Sequence, residues 1–234
     1  MGAAPDVIRR AVTLPNDLPL HEYHLRLGAH EWTIAHSGAI LSAEDEQRYL
    51  SEERSRAPYG IALWPAAIAL AHELASRPSD LAGLRVLEIG AGTGLPGIVA
   101  ATYGARVVQT DRLDAALALG RLNAERNGMR SIVHHLADWT EWTDTERYDF
   151  ILGSDVIYPS RLHPSLRSIF ETNLAPTGRV LLSDPFRWTS LALLEGMEED
   201  GWTVTVTKWR LEGEWGERLV AGYELRQGTA AQTA

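Results

Sequence analysis

The chain contains no cysteine among its 234 residues. This absence excludes disulfide bonds, cysteine nucleophiles and zinc sites with thiolate ligands. Positive charge is also scarce, because 22 Lys and Arg residues stand against 31 Asp and Glu residues, giving a net charge of −9. Proteins that bind nucleic acid neutralise phosphates with Lys and Arg. We therefore expect no nucleic-acid partner, whereas an acidic surface favours a cationic one.

Long apolar runs are missing as well. No stretch approaches the roughly 20 apolar residues that cross a bilayer. Arg9 and Arg10 are not followed by the apolar segment of a secretory signal. The sequence therefore predicts a cytoplasmic protein without membrane contact. The adjacent His134 and His135 lie on a predicted strand, where neighbours point to opposite faces, and we predict no metal site.

A regular alternation of strand and helix patterns begins near residue 84. It indicates a parallel sheet with helices on both faces. The last two strands have no helix between them and are predicted to be antiparallel neighbours. The predicted strands cover 85–90, 106–111, 132–137, 148–155, 179–184, 202–211 and 219–226, and the predicted helices 95–103, 114–127, 162–174 and 189–200.

The residues before this alternation predict an N-terminal arm. Alternating apolar and polar residues at 23–27 and 31–35 flank Gly28 and indicate a hairpin. Ser42, followed by acidic residues, begins a predicted helix that ends near residue 55. Another helix is predicted over 65–76. The chain is thus predicted to consist of an arm (1–58), a main domain (59–227) and a disordered tail (228–234).

A glycine-rich loop with the sequence GAGTG occupies residues 90–94, between a predicted strand and a predicted helix. Glycine permits positive φ and close approach of a ligand to the backbone, and a helix start presents unpaired N–H groups. Ligands of open α/β sheets bind at the carboxyl ends of the strands. The loop therefore predicts a ligand site. Residues 92–97 also match the dinucleotide fingerprint GxGxxG, which leaves NAD as an alternative ligand.

Acidic residues near the ends of three consecutive predicted strands favour one ligand over the other. Glu88 precedes the loop, where its carboxylate would lie beneath the loop, close to the cationic methionine end of S-adenosylmethionine, and would repel a pyrophosphate. Asp111 ends the second main strand and is placed to accept both ribose hydroxyls. Asp138 ends the third strand beside Trp139 and is placed for an adenine amino group. The set favours S-adenosylmethionine over NAD.

The sequence VLEIGAGTG at residues 86–94, together with Asp111 and Asp138, resembles the class I, seven-stranded methyltransferases. The resemblance implies an α/β, Rossmann-like, doubly wound sheet in the order 3-2-1-4-5-7-6 with strand 7 antiparallel. It also implies S-adenosyl-L-methionine as cofactor and S-adenosyl-L-homocysteine as product. The cofactor-binding residues so implied are Trp64, Glu88, Gly90, Ala91, Gly92, Thr93, Gly94, Asp111, Arg112, Asp138, Trp139 and Ser154.

Further segments resemble methyltransferase family 16, a subgroup of protein lysine methyltransferases. Asp155 and Tyr158 match its acidic-x-x-aromatic motif after the fourth main strand, and Trp64 with the following proline matches its segment before the core. Residues 183–187, SDPFR, add a third likeness. The combination is similar to the branch that methylates the electron-transfer flavoprotein β subunit, from which GLPG at residues 94–97 departs. The resemblance implies a lysine-bearing protein substrate.

The chemistry of methyl transfer suits these residue types. A lysine amine, with a pKa of about 10.4 in water, must lose a proton before it attacks. Asp155 is expected to hold the incoming ammonium by a charge-assisted hydrogen bond, and Tyr158 to contact the same nitrogen. Trp64, Phe186 and Trp188 are candidates for an aromatic lining, although the sequence favours the core or the rim for Phe186 and Trp188. A small-molecule N-methyltransferase, an NAD-dependent oxidoreductase and a cofactor-binding protein without catalysis remain alternatives.

Overall fold

The computed structural model of the protein describes residues 19–38, 59–213 and 216–228. The predicted helix at 42–55, most of the predicted tail and part of the turn between the last two strands lie outside these ranges. The strands are β1 (His21–Leu27), β2 (His30–His36), β3 (Arg85–Ile89), β4 (Arg106–Asp111), β5 (Val133–Leu136), β6 (Tyr148–Ser154), β7 (Leu174–Asp184), β8 (Trp202–Gly213) and β9 (Gly216–Gln227). The α-helices are α1 (Pro65–Ala75), α2 (Leu95–Thr102), α3 (Asp114–Arg126), α4 (His163–Asn173) and α5 (Trp188–Glu199).

Seven strands form one sheet in the order β5-β4-β3-β6-β7-β9-β8. Neighbours pair in parallel from β5 to β7, whereas β9 runs antiparallel to both β7 and β8. This topology confirms the predicted class I order with its reversed seventh strand. Strand β7 begins earlier than predicted because Leu174, directly after α4, already pairs with Tyr148 before a register irregularity.

The core lies on both faces of the sheet, because successive residues of a strand point to opposite sides. On β3, Val86 belongs to the apolar cluster that includes α1 and α2, whereas Leu87 and Ile89 belong to the cluster that includes α4 and α5. Helix α1 is buried on nearly every side since it packs against α2, β7 and β9. None of the helices in the described ranges is long and apolar enough to cross a bilayer.

The β1–β2 hairpin, confirmed close to its predicted bounds, is fastened to α3 by two asparagines. Asn123 accepts a hydrogen bond from the Ala35 N–H at 2.8 Å and donates to the Ala35 carbonyl at 3.0 Å. Asn127 pairs with the backbone of Thr33 in the same way, at 3.0 and 2.9 Å. Each asparagine side chain thus makes one accepted and one donated hydrogen bond with the strand backbone, as a neighbouring strand would. Asn123 also donates to the Thr93 carbonyl at 2.8 Å, which ties the hairpin to the glycine loop.

Candidate active site

A cavity of about 780 Å³ opens at the carboxyl ends of β3, β4, β5 and β6. Its size lies within the usual range for small-molecule sites. Of the predicted site residues, Glu88 and Gly94 do not line it. Those that do are Trp64, Gly90, Ala91, Gly92, Thr93, Asp111, Arg112, Asp138, Trp139, Ser154, Asp155 and Tyr158.

The glycine loop needs its glycines for both conformation and space. Gly90, Gly92 and Gly94 have φ values of 61°, 54° and 79°, a region that side chains disfavour. A Cβ atom on Gly90 would lie 2.9 Å from Val156 Cγ1, and one on Gly92 would lie 3.1 Å from the Gly60 carbonyl oxygen. The loop can therefore pack beneath the segment before α1 only without side chains at these positions. Its backbone forms one wall of the cavity.

Asp111 presents a carboxylate to the cavity from the end of β4. Its two oxygens accept hydrogen bonds from the Gly92 N–H at 3.0 Å and the Leu113 N–H at 2.9 Å. Burial raises the pKa of this carboxyl, since the side chain has little access to water. Each carboxylate oxygen carries a second lone pair, so Asp111 can still accept hydroxyl donors from a ligand.

Asp138 and Trp139 lie at the end of β5, as predicted. Asp138 Oδ1 accepts hydrogen bonds from the Thr140 N–H at 2.9 Å and the Thr140 hydroxyl at 2.7 Å, which lowers the pKa of the carboxyl. The Trp139 ring packs beside Gly90. Together they give the cavity one polar acceptor and one flat apolar wall.

Glu88 lies beneath the loop as expected, but it faces away from the cavity. Its Oε2 accepts hydrogen bonds from the Gly97 N–H at 3.1 Å and from Gln109 Nε2 at 2.7 Å, and Gln109 also donates to the Gly94 carbonyl. Burial raises the pKa of Glu88 to about 8. The carboxyl is thus largely neutral at pH 7. It braces the loop from the α2 side, because β3 alternates its side chains between the two faces.

The end of the cavity that follows β6 contains an ion pair. Asp155 follows β6 with a φ of 52°, and its N–H donates to the Ser183 carbonyl at 2.7 Å. Both carboxylate oxygens accept from the Arg187 guanidinium, Nε to Oδ1 at 2.8 Å and Nη2 to Oδ2 at 2.9 Å. The guanidinium carbon lies 5.4 Å from the centre of the Tyr158 ring, a cation–π distance. Asp155 and Tyr158 therefore already contact a cation.

Arg187 is a site residue that the sequence argument missed, although the segment SDPFR containing it had been singled out. Its two aromatic neighbours, which the sequence assigned to the core or rim rather than to a cage, stay outside the cavity. Phe186 and Trp188 do not line the cavity, and Trp188 is 82% exposed. Trp64 does line it, at the start of α1. Within the described ranges, no three His, Asp or Glu side chains lie together as metal ligands would.

These features fit S-adenosylmethionine. Bare loop backbone beside Asp111 suits the close approach of a ribose, and Asp138 with Trp139 suits an adenine, which has an amino donor and a flat face. The cavity continues to Asp155 and Tyr158, so a methyl donor and its acceptor would share one cavity.

Comparison with known proteins supports this interpretation. A family model described as lysine methyltransferase matches residues 43–189. The chain is 37% identical over 131 residues to protein N-lysine methyltransferase METTL21A of Xenopus tropicalis (54% of this chain, 60% of the relative). It is 34% identical over 158 residues to METTL21A of Danio rerio (65% and 72%). It is 32% identical over 132 residues to the electron transfer flavoprotein beta subunit lysine methyltransferase of Danio rerio (56% and 51%).

Solved structures agree on the fold. The Thermus thermophilus 16S rRNA N2 G1207 methyltransferase RsmC, in complex with AdoMet and guanosine, superposes with a TM-score of 0.61 at 18% identity. The superposition covers 90% of this chain and 51% of that one. At this identity the likeness concerns the fold alone.

Proposed function

The chain belongs to the lysine methyltransferase family of S-adenosylmethionine-dependent enzymes, and on that premise we propose that it methylates the side-chain amine of a lysine in a protein substrate. Membership confirms the resemblance predicted from the motifs. It also favours S-adenosylmethionine over NAD as the ligand of the glycine loop. The matched segments span 60%, 72% and 51% of the three relatives.

The cofactor half of the cavity is proposed to work through hydrogen bonds and shape. Asp111 accepts the ribose hydroxyls, Asp138 accepts from the adenine amino group, and Trp139 packs on the ring. Gly90 and Gly92 let the ligand lie against the loop backbone. S-adenosylmethionine supplies a methyl group on a sulfonium, whose carbon–sulfur bond breaks with its electron pair going to sulfur, leaving S-adenosylhomocysteine.

The acceptor half is proposed to position the nitrogen. Asp155 has lone pairs beyond the two used by Arg187, so it can accept an N–H bond from the lysine and direct the remaining nitrogen lone pair at the methyl carbon. Tyr158, at the exposed mouth of the cavity, contacts the same nitrogen or its stem. The main contribution of such a site is alignment and exclusion of water.

The observation that carries the proposal is the continuity of one cavity from Asp111 to Asp155 and Tyr158. The experiment is incubation of the protein with a host lysate and S-adenosylmethionine labelled in its methyl group, followed by mass spectrometry. Label in methyl-lysine of a protein supports the proposal. Label only in small metabolites would favour a small-molecule N-methyltransferase instead. The cytoplasmic location of the protein stays a prediction from the sequence.

A further inference from the structure

The pair formed by Asp155 and Arg187 joins two loops that the fold holds in unfavourable conformations. Among the described residues, the only non-glycine residues with positive φ are Asp155 (52°) and Phe186 (58°), the residue before Arg187. Left-handed backbone is uncommon outside glycine and persists where the surrounding structure enforces it, often at functional sites. Both strained residues therefore converge on this one ion pair.

Arg187 is held in place at its backbone as well as its side chain. Its N–H donates to Asp184 Oδ1 at 3.2 Å, and Asp184, fully buried at the end of β7, is also 3.4 Å from the Tyr223 hydroxyl. The guanidinium then makes two parallel bonds to Asp155, whose side chain is only 7% exposed. Bidentate pairs of this kind are geometrically specific. The arginine is thus a fixed part of the pocket.

The pair changes the charge that an acceptor meets. A guanidinium keeps its positive charge throughout the working pH range, so Arg187 cancels the charge of Asp155 at the acceptor end of the cavity. An uncompensated carboxylate would hold a lysine as its ammonium form, which cannot attack. A compensated carboxylate still accepts an N–H bond, but attracts the ammonium far less.

We propose that Arg187 is a positioning residue that neutralises Asp155, so that the acceptor pocket holds lysine as the free amine rather than as the ammonium. The inference rests on the proposed function. The lysine gives its proton to water, and the nitrogen lone pair then forms the new bond to the methyl carbon as the carbon–sulfur bond breaks. A neutral pocket next to a sulfonium favours the first of these events.

Other ionisable groups around the cavity balance one another. Arg112 and Arg161 face the same space as Asp111 and Asp138, which gives two charges of each sign. Asp184 lies behind Arg187, and burial raises the pKa of its carboxyl. Loss of the Arg187 charge alone would therefore leave one uncompensated carboxylate, Asp155, beside the acceptor nitrogen.

The test is the pH dependence of single-turnover methyl transfer to the lysine protein identified in the lysate, with enzyme in excess, between pH 6 and 10. Under these conditions the rising limb of the pH–rate profile reports the ionisation of the lysine in the bound complex. For Arg187→Met we expect the limb to move up by about one pH unit or more, because an unpaired carboxylate favours the ammonium. The rate at pH 7.5 falls about tenfold for each pH unit by which the limb moves and recovers at high pH. The enzyme concentration that gives half of the maximal rate also falls, because the ammonium form is bound more tightly.

Arg187→Lys keeps the charge and should leave the limb in place. Arg179→Met is the matched control, because Arg179 is similarly exposed (29% against 26%), is paired with Asp80 and packs over the Phe150 ring, yet lies outside the cavity. If Arg187→Met does not fold, Arg187→Gln supplies the neutral variant.

If a neutral variant transfers the methyl group more slowly at every pH while the rising limb of its pH–rate profile stays in place, the ion pair is merely structural. That result would overturn this inference but leave the proposed function standing. A limb that moves equally in Arg187→Lys would overturn the inference too. Failure of the unaltered protein to label any lysine overturns the proposed function with it.

Discussion

The two ends of the cavity stabilise their carboxylates in different ways. At the cofactor end, Asp111 is held by the uncharged N–H groups of Gly92 and Leu113. At the acceptor end, Asp155 is held by the charged guanidinium of Arg187. In the first arrangement the donors are backbone N–H groups, and Arg112 and Arg161 face the same cavity. The second removes the charge and leaves only hydrogen-bond acceptors.

Under the proposed function, the same residue type thus serves two purposes within one pocket. On that premise, the carboxylate at the cofactor end accepts the neutral hydroxyl donors of a ribose, for which backbone N–H groups hold it in place. An acceptor that must be neutral to react is served better by a compensated one. The difference lies in the partners of the carboxylates, and substitutions that exchange or remove those partners test it.

The largest expected effect concerns Glu88, the buried carboxyl that braces the cofactor end. Its pKa in the folded protein, about 8, lies above the usual 4.5. Between these values the unfolded chain releases a proton that the folded chain keeps, so the free energy of unfolding decreases as pH rises from about 4.5 to about 8. At about 1.4 kcal/mol per unit this amounts to several kcal/mol.

Denaturant unfolding at pH 5 and pH 8 measures this change, and Glu88→Gln should remove most of it. Asp111 and Asp184 also have raised pKa values, so the difference between the two proteins, rather than the total slope, isolates Glu88. Equal slopes in both would show that the carboxyl is ionised in the folded state.

A second test adds one methyl group behind the glycine loop. In Gly97→Ala the new Cβ would clash with Glu88 Oε2 and lie 2.6 Å from Gln109 Nε2. Overpacking of this kind costs about 1–3 kcal/mol, and thermal unfolding should show the loss together with weaker cofactor binding. The control is Gly120→Ala, also within a helix, where the nearest atom is 3.5 Å away. That variant should be neutral or more stable by about 1 kcal/mol.

A third test compares the two carboxylates directly. Asp111→Asn should weaken S-adenosylmethionine binding about tenfold to hundredfold, since hydrogen bonds to charged groups contribute about 1.5–3 kcal/mol. Asp155→Asn should leave that affinity nearly unchanged while it slows methyl transfer. Isothermal titration calorimetry with both variants checks the contrast. Loss of cofactor affinity in Asp155→Asn would break the division of the cavity into two ends.

The smallest expected effect is that of the Tyr158 hydroxyl. Tyr158→Phe keeps the ring against Arg187 but removes one hydrogen-bonding group, which is worth about 1 kcal/mol. We expect a rate of methyl transfer about fivefold lower and an unchanged affinity for S-adenosylmethionine. Tyr103→Phe, away from the cavity, serves as the control. A hundredfold loss in Tyr158→Phe would assign the hydroxyl a chemical role.

The fold and the placement of Asp111 and Asp138 around one cavity could be predicted because both depend on local order along the chain. Strand and helix patterns alternate, and Asp111 and Asp138 stand at or just beyond strand ends, which all meet at one edge of a parallel sheet. The direction of Glu88 was missed, although strand alternation places it on the same face as Val86 and opposite Ile89. Its register partner Gln109 then becomes its hydrogen-bond donor.

The acceptor end could not be predicted to the same depth. Asp155 and Arg187 are 32 residues apart in the sequence. Their pairing depends on left-handed backbone at Asp155 and Phe186, and neither position has the glycine that would predict such a conformation. The motif identified Asp155 and Tyr158 as residues of interest. It contained no information about which cation they contact, because that partner is set by loop geometry rather than by sequence spacing.

The contact of Asn123 with both Ala35 and Thr93 has a consequence for local unfolding. When the hairpin detaches, Asn123 loses its bonds to Ala35 and can turn away from the Thr93 carbonyl, which loosens the loop that lines the cavity and favours release of a bound ligand. Amide hydrogen exchange at Ala35, in the N-terminal hairpin, should then slow when the cavity is filled. At a ligand concentration of 100 Kd the expected protection is at most about 2.7 kcal/mol, and the hairpin amide reports on occupancy of the cavity from a distance.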